Sequence, residues 1–164
     1  MALNAYAQVT LNGTAIDGDV TATEFGGVDV SSGHIEVVEF SFGMSTPLDQ
    51  AAGMARTGRR VYSPLVLRKR IDRATPLLYQ ALVQNQVVTG GLKVFDANPD
   101  DGTTQHRFTY AFGQARVSAI EDVSPSVFDN VAVPALERVT LTLNDITITD
   151  EMTGTQFADD IAIR

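Results

Sequence analysis

GRRVYSPLVLRKRIDRATPLLYQALVQ, residues 58–84, is the stretch whose reading decides the fold. It opens as a basic strand, turns at Asp72, and enters the one helix expected in the chain, over about residues 75–85. Thr75 is the expected N-cap and Pro76 the first helical residue. A hydroxyl satisfies orphan backbone donors at a cap, and proline's fixed φ and missing N–H cost nothing one position on. Leu77, Leu78, Ala81 and Leu82 recur at three- and four-residue spacing, giving the helix one apolar face.

The same stretch concentrates charge. Seven of the chain's twelve bases and one of its twenty acids lie between Arg56 and Arg73, so this segment is +6 and the remainder −14. A split of this kind suits a basic band that meets an acidic surface, including one on a second copy of the chain.

With 164 residues the chain is sized for one domain with a real core, spanning residues 1–164. There are no cysteines, which removes disulfides and thiolate chemistry. The start, MALNAYAQVTLNG, has no basic residue followed by a long apolar run, so no secretory signal peptide is expected. No window approaches the eighteen apolar residues of a membrane-spanning helix, and membrane insertion is not expected.

Around the central stretch the chain reads as strands. Residues 5–11 alternate weakly and end in Asn12-Gly13, a tight hairpin signal. Residues 17–33 read as loop or short edge strands. Ile35 to Phe42 is a strand with Val38, Phe40 and Phe42 on one face and Val37, Glu39 and Ser41 on the other; the phenylalanines claim the core, so Glu39 and Ser41 belong to a wetter surface. Residues 43–57 form a long irregular segment of the kind that serves binding. In residues 61–71, Val61, Leu65, Leu67 and Ile71 oppose Tyr62, Val66, Arg68 and Arg70. After the helix come Val87-Val88, a break at Gly90-Gly91, a short strand Leu92–Phe95 and a turn cluster at 96–102.

Residues 107–123 form a long strand whose phase changes. Phe108, Tyr110 and Phe112 share one parity, whereas Ala115, Val117 and Ala119 share the other, with Gly113 at a bulge or sharp bend. Val139, Leu141 and Leu143 give way in the same manner to Ile146 and Ile148 across Asn144-Asp145. Strands that change face are what a strongly curved sheet or small barrel requires. Residues 124–134 read as a loop, and Ile161–Ile163 as a last short strand.

No catalytic centre emerges. His34 and His106 are the only histidines, neither in a nucleophile-elbow context, and both are expected at strand edges or on the surface. Asp96, Asn98 and Asp100 imitate the start of a calcium loop. Asp101 then stands where its invariant glycine belongs and Arg107 where its bidentate glutamate belongs, which leaves a solvated hairpin tip and no metal site. The acidic balance, with only Tyr62 among the cations, speaks against nucleic acid as a partner. No cofactor motif is present. A curved β domain with one helix, a long loop and segregated charge is a structural or binding module, not an enzyme.

Four segments resemble the Hcp (haemolysin-coregulated protein) family, the tube subunit of type VI secretion systems. They are the N-terminal strand with its polar turn, GHIEVVEFSFG at 33–43, GRRVYSPLVLRKRIDRATPLLYQAL at 58–82, and ERVTLTL at 137–143. Lys69, Asp72, Thr75-Pro76 and the following leucines are the most specific part. The resemblance implies a mainly β fold: a small β-barrel of two packed sheets with one helix outside. It implies homohexameric rings stacked into a tube, which a contractile sheath expels with a spike at its tip from a baseplate, carrying effector proteins in the lumen. Such a subunit assembles in the bacterial cytoplasm and leaves without a cleaved signal. The implied roles are Glu39 and Ser41 for the lumen wall, and Met44, Pro47, Leu48, Arg56, Arg59, Arg60, Arg68 and Arg70 for contacts between subunits or rings. The alternatives are a tube subunit of a related contractile particle, such as a phage tail or extracellular injection system, and a free-standing ligand-binding β-barrel.

Overall fold

A computed structural model describes residues 5–56, 58–128 and 133–161, without the side chain of Arg56. The elements are β1 (Ala5–Leu11), β2 (Thr14–Ala15), β3 (Glu24–Phe25), β4 (Val28–Asp29), β5 (His34–Ser41), β6 (Met44–Ser45), β7 (Leu48–Asp49), β8 (Ala55–Arg56), β9 (Val61–Tyr62), β10 (Leu65–Arg70), α1 (Thr75–Val83), β11 (Val88–Ala97), β12 (Thr104–Val123), β13 (Leu136–Thr142), β14 (Asp145–Asp150) and β15 (Gln156–Asp160).

Pairing runs β11-β1-β5-β10-β13-β12 and returns from β12 to β11, closing a small barrel with α1 outside; β14 and β15 extend from β12. Two strands are shared by both walls. β5 pairs with β1 through residues 34–37 and with β10 through residues 37–41. β12 pairs with β11 through residues 104–115 and with β13 through residues 116–123. The barrel is thus two packed sheets, β5-β1-β11-β12 and β5-β10-β13-β12, whose strands switch sheets at corners.

Bulges make those corners. In β5 the register slips opposite Arg68 and Lys69, so Val37 is fully buried and Val38 is exposed, while Phe40 and Phe42 pack on the core. The expected single parity from Val38 to Phe42 therefore fails at its first residue. Glu39 and Ser41 are exposed, as their parity requires. In β12 the bend falls where Gly113 predicts it: Gly113 and Gln114 lie between the pairs Phe112↔Gly90 and Ala115↔Val88, and Gln114 takes φ 47°. A second slip at Ser118 turns Ala119 outward, contrary to the parity of Ala115 and Val117, and gives its place to Ile120. The 139–148 run breaks into β13 and β14. At the break the Gly113 N–H donates to Asp145 Oδ1 at 2.6 Å.

Other expectations shift for local reasons. Ser63 and Pro64 split the 61–71 run into β9 and β10, leaving Val61 and Ile71 exposed. The Asn12-Gly13 turn forms, both residues at positive φ. No break occurs at Gly90-Gly91. β11 runs through both, because β1 crosses so closely that a Cβ on Gly90 would lie 1.9 Å from the Gln8 carbonyl oxygen. The last strand is β15, before Ile161; Ile163 lies outside the described residues.

Helix α1 spans Thr75–Val83, shorter than expected, with Ala74 at the N-cap and Thr75 already helical. The cap role expected of Thr75 falls to Asp72, whose Oδ1 accepts the Ala74 N–H at 2.9 Å. Thr75 Oγ1 instead accepts from the Asp72 N–H at 3.1 Å and from Lys69 Nζ at 3.3 Å. The inward face is Thr75, Leu78 and Ala81; Leu77, expected on it, is 40% exposed.

Lys69 ties these pieces together. It occupies a core position of β10, 1% exposed, with Nζ 2.7 Å from Asp72 Oδ1 and 3.2 Å from Oε1 of the fully buried Glu137 on β13. Burial raises the Glu137 carboxyl above its ordinary range, and the Lys69 charge opposes that rise. Removing one partner of such a cluster strands an uncompensated charge. Lys69→Met is therefore expected to lower stability by about 3–5 kcal/mol in urea titrations followed by circular dichroism. Gly90→Ala is expected to give no folded protein by the same assay, because the obstacle is backbone that cannot step aside without parting β1 from β11.

Candidate functional site

The described residues form no cluster of histidines and acids suited to a metal ion, and in the 96–102 tip the Asp96 and Asp101 carboxylates accept local hydrogen bonds. Asn98 Oδ1 accepts the Asp100 N–H at 2.9 Å, and Asp101 Oδ1 accepts from the Thr103 N–H and hydroxyl at 2.9 and 2.7 Å. Two exposed surfaces stand out.

The first is the outer face of the β5-β10-β13-β12 sheet. Register sets Glu39, Arg68, Arg138 and Glu121 in one row across its four strands. Ser41, Val66, Thr140 and Ala119 make the adjoining row, with Arg70, Leu136 and Val123 beyond. Arg68 donates to Glu39 Oε2 at 2.6 Å. Glu39 and Ser41 thus share a face with Arg68 and Arg70, a neighbourhood that the linear sequence conceals because the four residues come from two strands.

The second surface is the arm of residues 43–62. Residues 43–57, read from sequence as an irregular loop, contain strands: Met44↔Tyr62 and Ser45↔Val61 join β6 to β9, while Leu48↔Arg56 and Asp49↔Ala55 make a hairpin of β7 and β8. Asp49 Oδ1 accepts the Ala51 N–H at 2.8 Å and tightens the tip. Met44, Leu48, Met54 and Val61 are all exposed, as is Pro47, so the arm carries apolar side chains into solvent. At its base Phe42, Met44, Tyr62, Tyr110, Ile148 and Phe157 line an open apolar cleft of about 400 Å³. Of the two arginines beside the arm, Arg60 pairs with Asp159 at 3.0 Å, whereas Arg59 has no ion pair among the described residues. The Arg56 side chain and Thr57 lie outside the described residues.

The basic band is thus largely answered within its own chain. Lys69 is buried with Asp72 and Glu137; Arg68 meets Glu39, Arg60 meets Asp159, and Arg73 stands 3.4 Å from Asp19 while donating twice to the Gly18 carbonyl. Composition shows the split but not which acid folds back onto which base. The histidines differ from expectation too: His34 is 5% exposed, and the half-buried His106 rests its ring on Phe95, centroids 5.1 Å apart. Tertiary cover, invisible in local sequence, puts them there.

A closed barrel of two bulged sheets with one outer helix and a projecting arm defines the class: a small β-barrel protein. Residues 8–149 match the family described as type VI secretion system effector, Hcp, and the chain belongs to that family. A "Major exported protein" of Pseudomonas aeruginosa is 32% identical, over 98% of this chain and 96% of that protein. Among solved structures, the Hcp1 protein from E. coli EAEC 042, in a mutant form, superposes with a TM-score of 0.78 at 25% identity, covering 98% of this chain and 99% of the other. A crystal structure of an Hcp protein gives 0.76 at 22% identity, covering 97% and 99%.

Exposed ion pairs contribute little to stability, and Arg68 and Glu39 are both well exposed. Arg68→Ala is expected to change unfolding stability by less than about 1 kcal/mol, measured by urea titration.

Proposed function

We propose that this chain, as one domain over residues 1–164, is the tube subunit of a type VI secretion system. Six copies form a ring, rings stack into a tube, and a contractile sheath expels the tube with its spike and with effector proteins in the lumen. Assembly takes place in the bacterial cytoplasm, and the tube is then exported. Family membership sets the system, and the export named for the Pseudomonas aeruginosa relative agrees with a protein that leaves the cell.

The observation that carries the ring reading is the pairing of two unlike surfaces on one barrel. A sheet face left bare by its own chain is polar and self-neutralising along the Glu39–Arg68–Arg138–Glu121 row. An arm beside it exposes Met44, Leu48, Met54 and Val61. Apolar side chains held out on an ordered arm gain from burial against a neighbour, and a head-to-tail contact between unlike patches closes into a ring when its rotation allows. A wet, balanced face suits a lumen wall. On this reading Glu39, Ser41, Arg68 and Arg70 line the lumen, and Met44, Pro47, Leu48, Arg56, Arg59 and Arg60 belong to the contact between copies. Arg68 leaves the contact set because it pairs across the ladder with Glu39, and Arg70 goes with it as the next outward residue of β10. No catalytic role is assigned to any residue.

Light scattering on a size-exclusion column, with negative-stain imaging of the peak, tests this. The expected result is a six-copy mass and open rings. Met44→Asp with Leu48→Asp should reduce the mass to one chain with an unchanged circular dichroism spectrum, while Arg68→Ala should retain the ring. A compact single-chain species from the unaltered protein at tens of micromolar, with no rings in the images, counts against the reading; rings that survive the arm substitutions refute the contact assignment.

A further inference from the structure

One of the two histidines sits where a proton cannot be accepted without cost. His34 opens β5 at the end of an arm, residues 17–33, that folds over the outer face of the β5-β1-β11-β12 sheet. Under that arm Tyr6, Val30 and Phe95 form a second apolar cluster, with Phe25 and Val28 of the β3–β4 hairpin against it. Both nitrogens of the buried imidazole are committed. Nδ1 is 2.6 Å from the Ser32 carbonyl oxygen, which can only accept, so Nδ1 carries the hydrogen. Nε2 is then a lone-pair acceptor, and it lies 3.0 Å from Nζ of Lys93 on β11, which donates to it.

We propose that His34 and Lys93 form an acid-released latch for the 17–33 arm, closed while His34 is neutral and opened when it gains a proton. A proton on Nε2 would set donor against donor and two cations 3.0 Å apart. The acids that face the pair are already holding the arm. Asp17 accepts the Gly33 N–H. Asp29 accepts from the Ser31 N–H and hydroxyl at 2.9 and 2.6 Å. Turning either acid toward an imidazolium releases an arm contact. From the other side, Glu151 and His106 face Lys93; the Thr109 hydroxyl donates to Glu151 and lies 3.1 Å from His106 Nε2.

Burial pulls His34 below its ordinary value of 6.5, with Lys93 adding to the depression and the Ser32 carbonyl, Asp29 and Asp17 opposing it. A histidine depressed in the folded state contributes stability that is present above pH 6.5 and lost as pH falls toward the folded value. Acidification should therefore loosen the arm before the barrel and bare the Tyr6–Phe95 cluster. This inference does not rest on the tube reading.

Two measurements on the full chain test it: a proton–nitrogen NMR titration, in which two histidines are readily told apart, and amide hydrogen exchange at pH 7.5 and 5.0 corrected for the intrinsic rate. His34 should titrate below 6.5, and amides of residues 20–30 should exchange faster at pH 5.0 than at pH 7.5 after that correction. His34→Gln, which keeps an acceptor for Lys93 and a donor for Ser32, should abolish the pH response, whereas His106→Gln should keep it. If His34→Gln does not fold, Lys93→Met serves instead, moving the His34 titration up toward 6.5 and weakening the response, because burial alone then depresses the imidazole. A His34 titrating at or above 6.5, equal arm exchange at both pH values, a response that survives loss of His34, or one undiminished by loss of Lys93 overturns the latch.

Discussion

A single ammonium buried between two carboxylates underlies this architecture. Lys69 reaches Asp72 in the turn that follows its own strand and Glu137 across the ladder to β13. A charge so deep is tolerated only when its partners are fixed, and that requirement works in reverse: it fixes the partners. Asp72, held by Lys69, accepts the Ala74 amide and so begins the helix; it also faces the Asp19 amide at the start of the 17–33 arm. One side chain thereby sets the register of β10 on β13, the direction of α1 and the root of the arm.

The second constraint is curvature. Two sheets can share β5 and β12 only if each strand turns a corner, and an extra residue in the ladder is the cheapest way to turn one. The slips at Val38–Glu39, Gly113–Gln114 and Ser118 are those residues. Each reverses which side chains face the core. That is how Val37 is interior while Phe40, three residues on, packs against the same core. The outcome is one sheet face covered by the 17–33 arm and the other left bare, and this asymmetry gives the barrel two distinct sides.

Two surfaces set this molecule apart. The bare face alternates charge along its row and neutralises itself in part, so it presents polarity without a strong field. The 43–62 arm is ordered by its own pairing yet exposes methionine and leucine, side chains that adapt to an irregular partner surface. The chain's membership of the Hcp family is the setting in which these two surfaces are read.

The sequence by itself determined the class of fold, the helix after Asp72, the Asn12-Gly13 turn, the bend at Gly113 and the wet side of Glu39 and Ser41. These follow from short-range rules: period, turn chemistry and the freedom of glycine. Parity carried only as far as the next bulge, so Val38 and Ala119 came out on the wrong side, and a leucine at helical spacing, Leu77, proved exposed. Tertiary structure alone decided that Lys69, one base in a run of bases, is core; that Arg68 lies beside Glu39; that Gly90 is demanded by β1 rather than by a strand break; and that His34 is covered. In each case the deciding atom belongs to a residue distant in sequence, and no local pattern can report a contact whose other half is elsewhere in the chain.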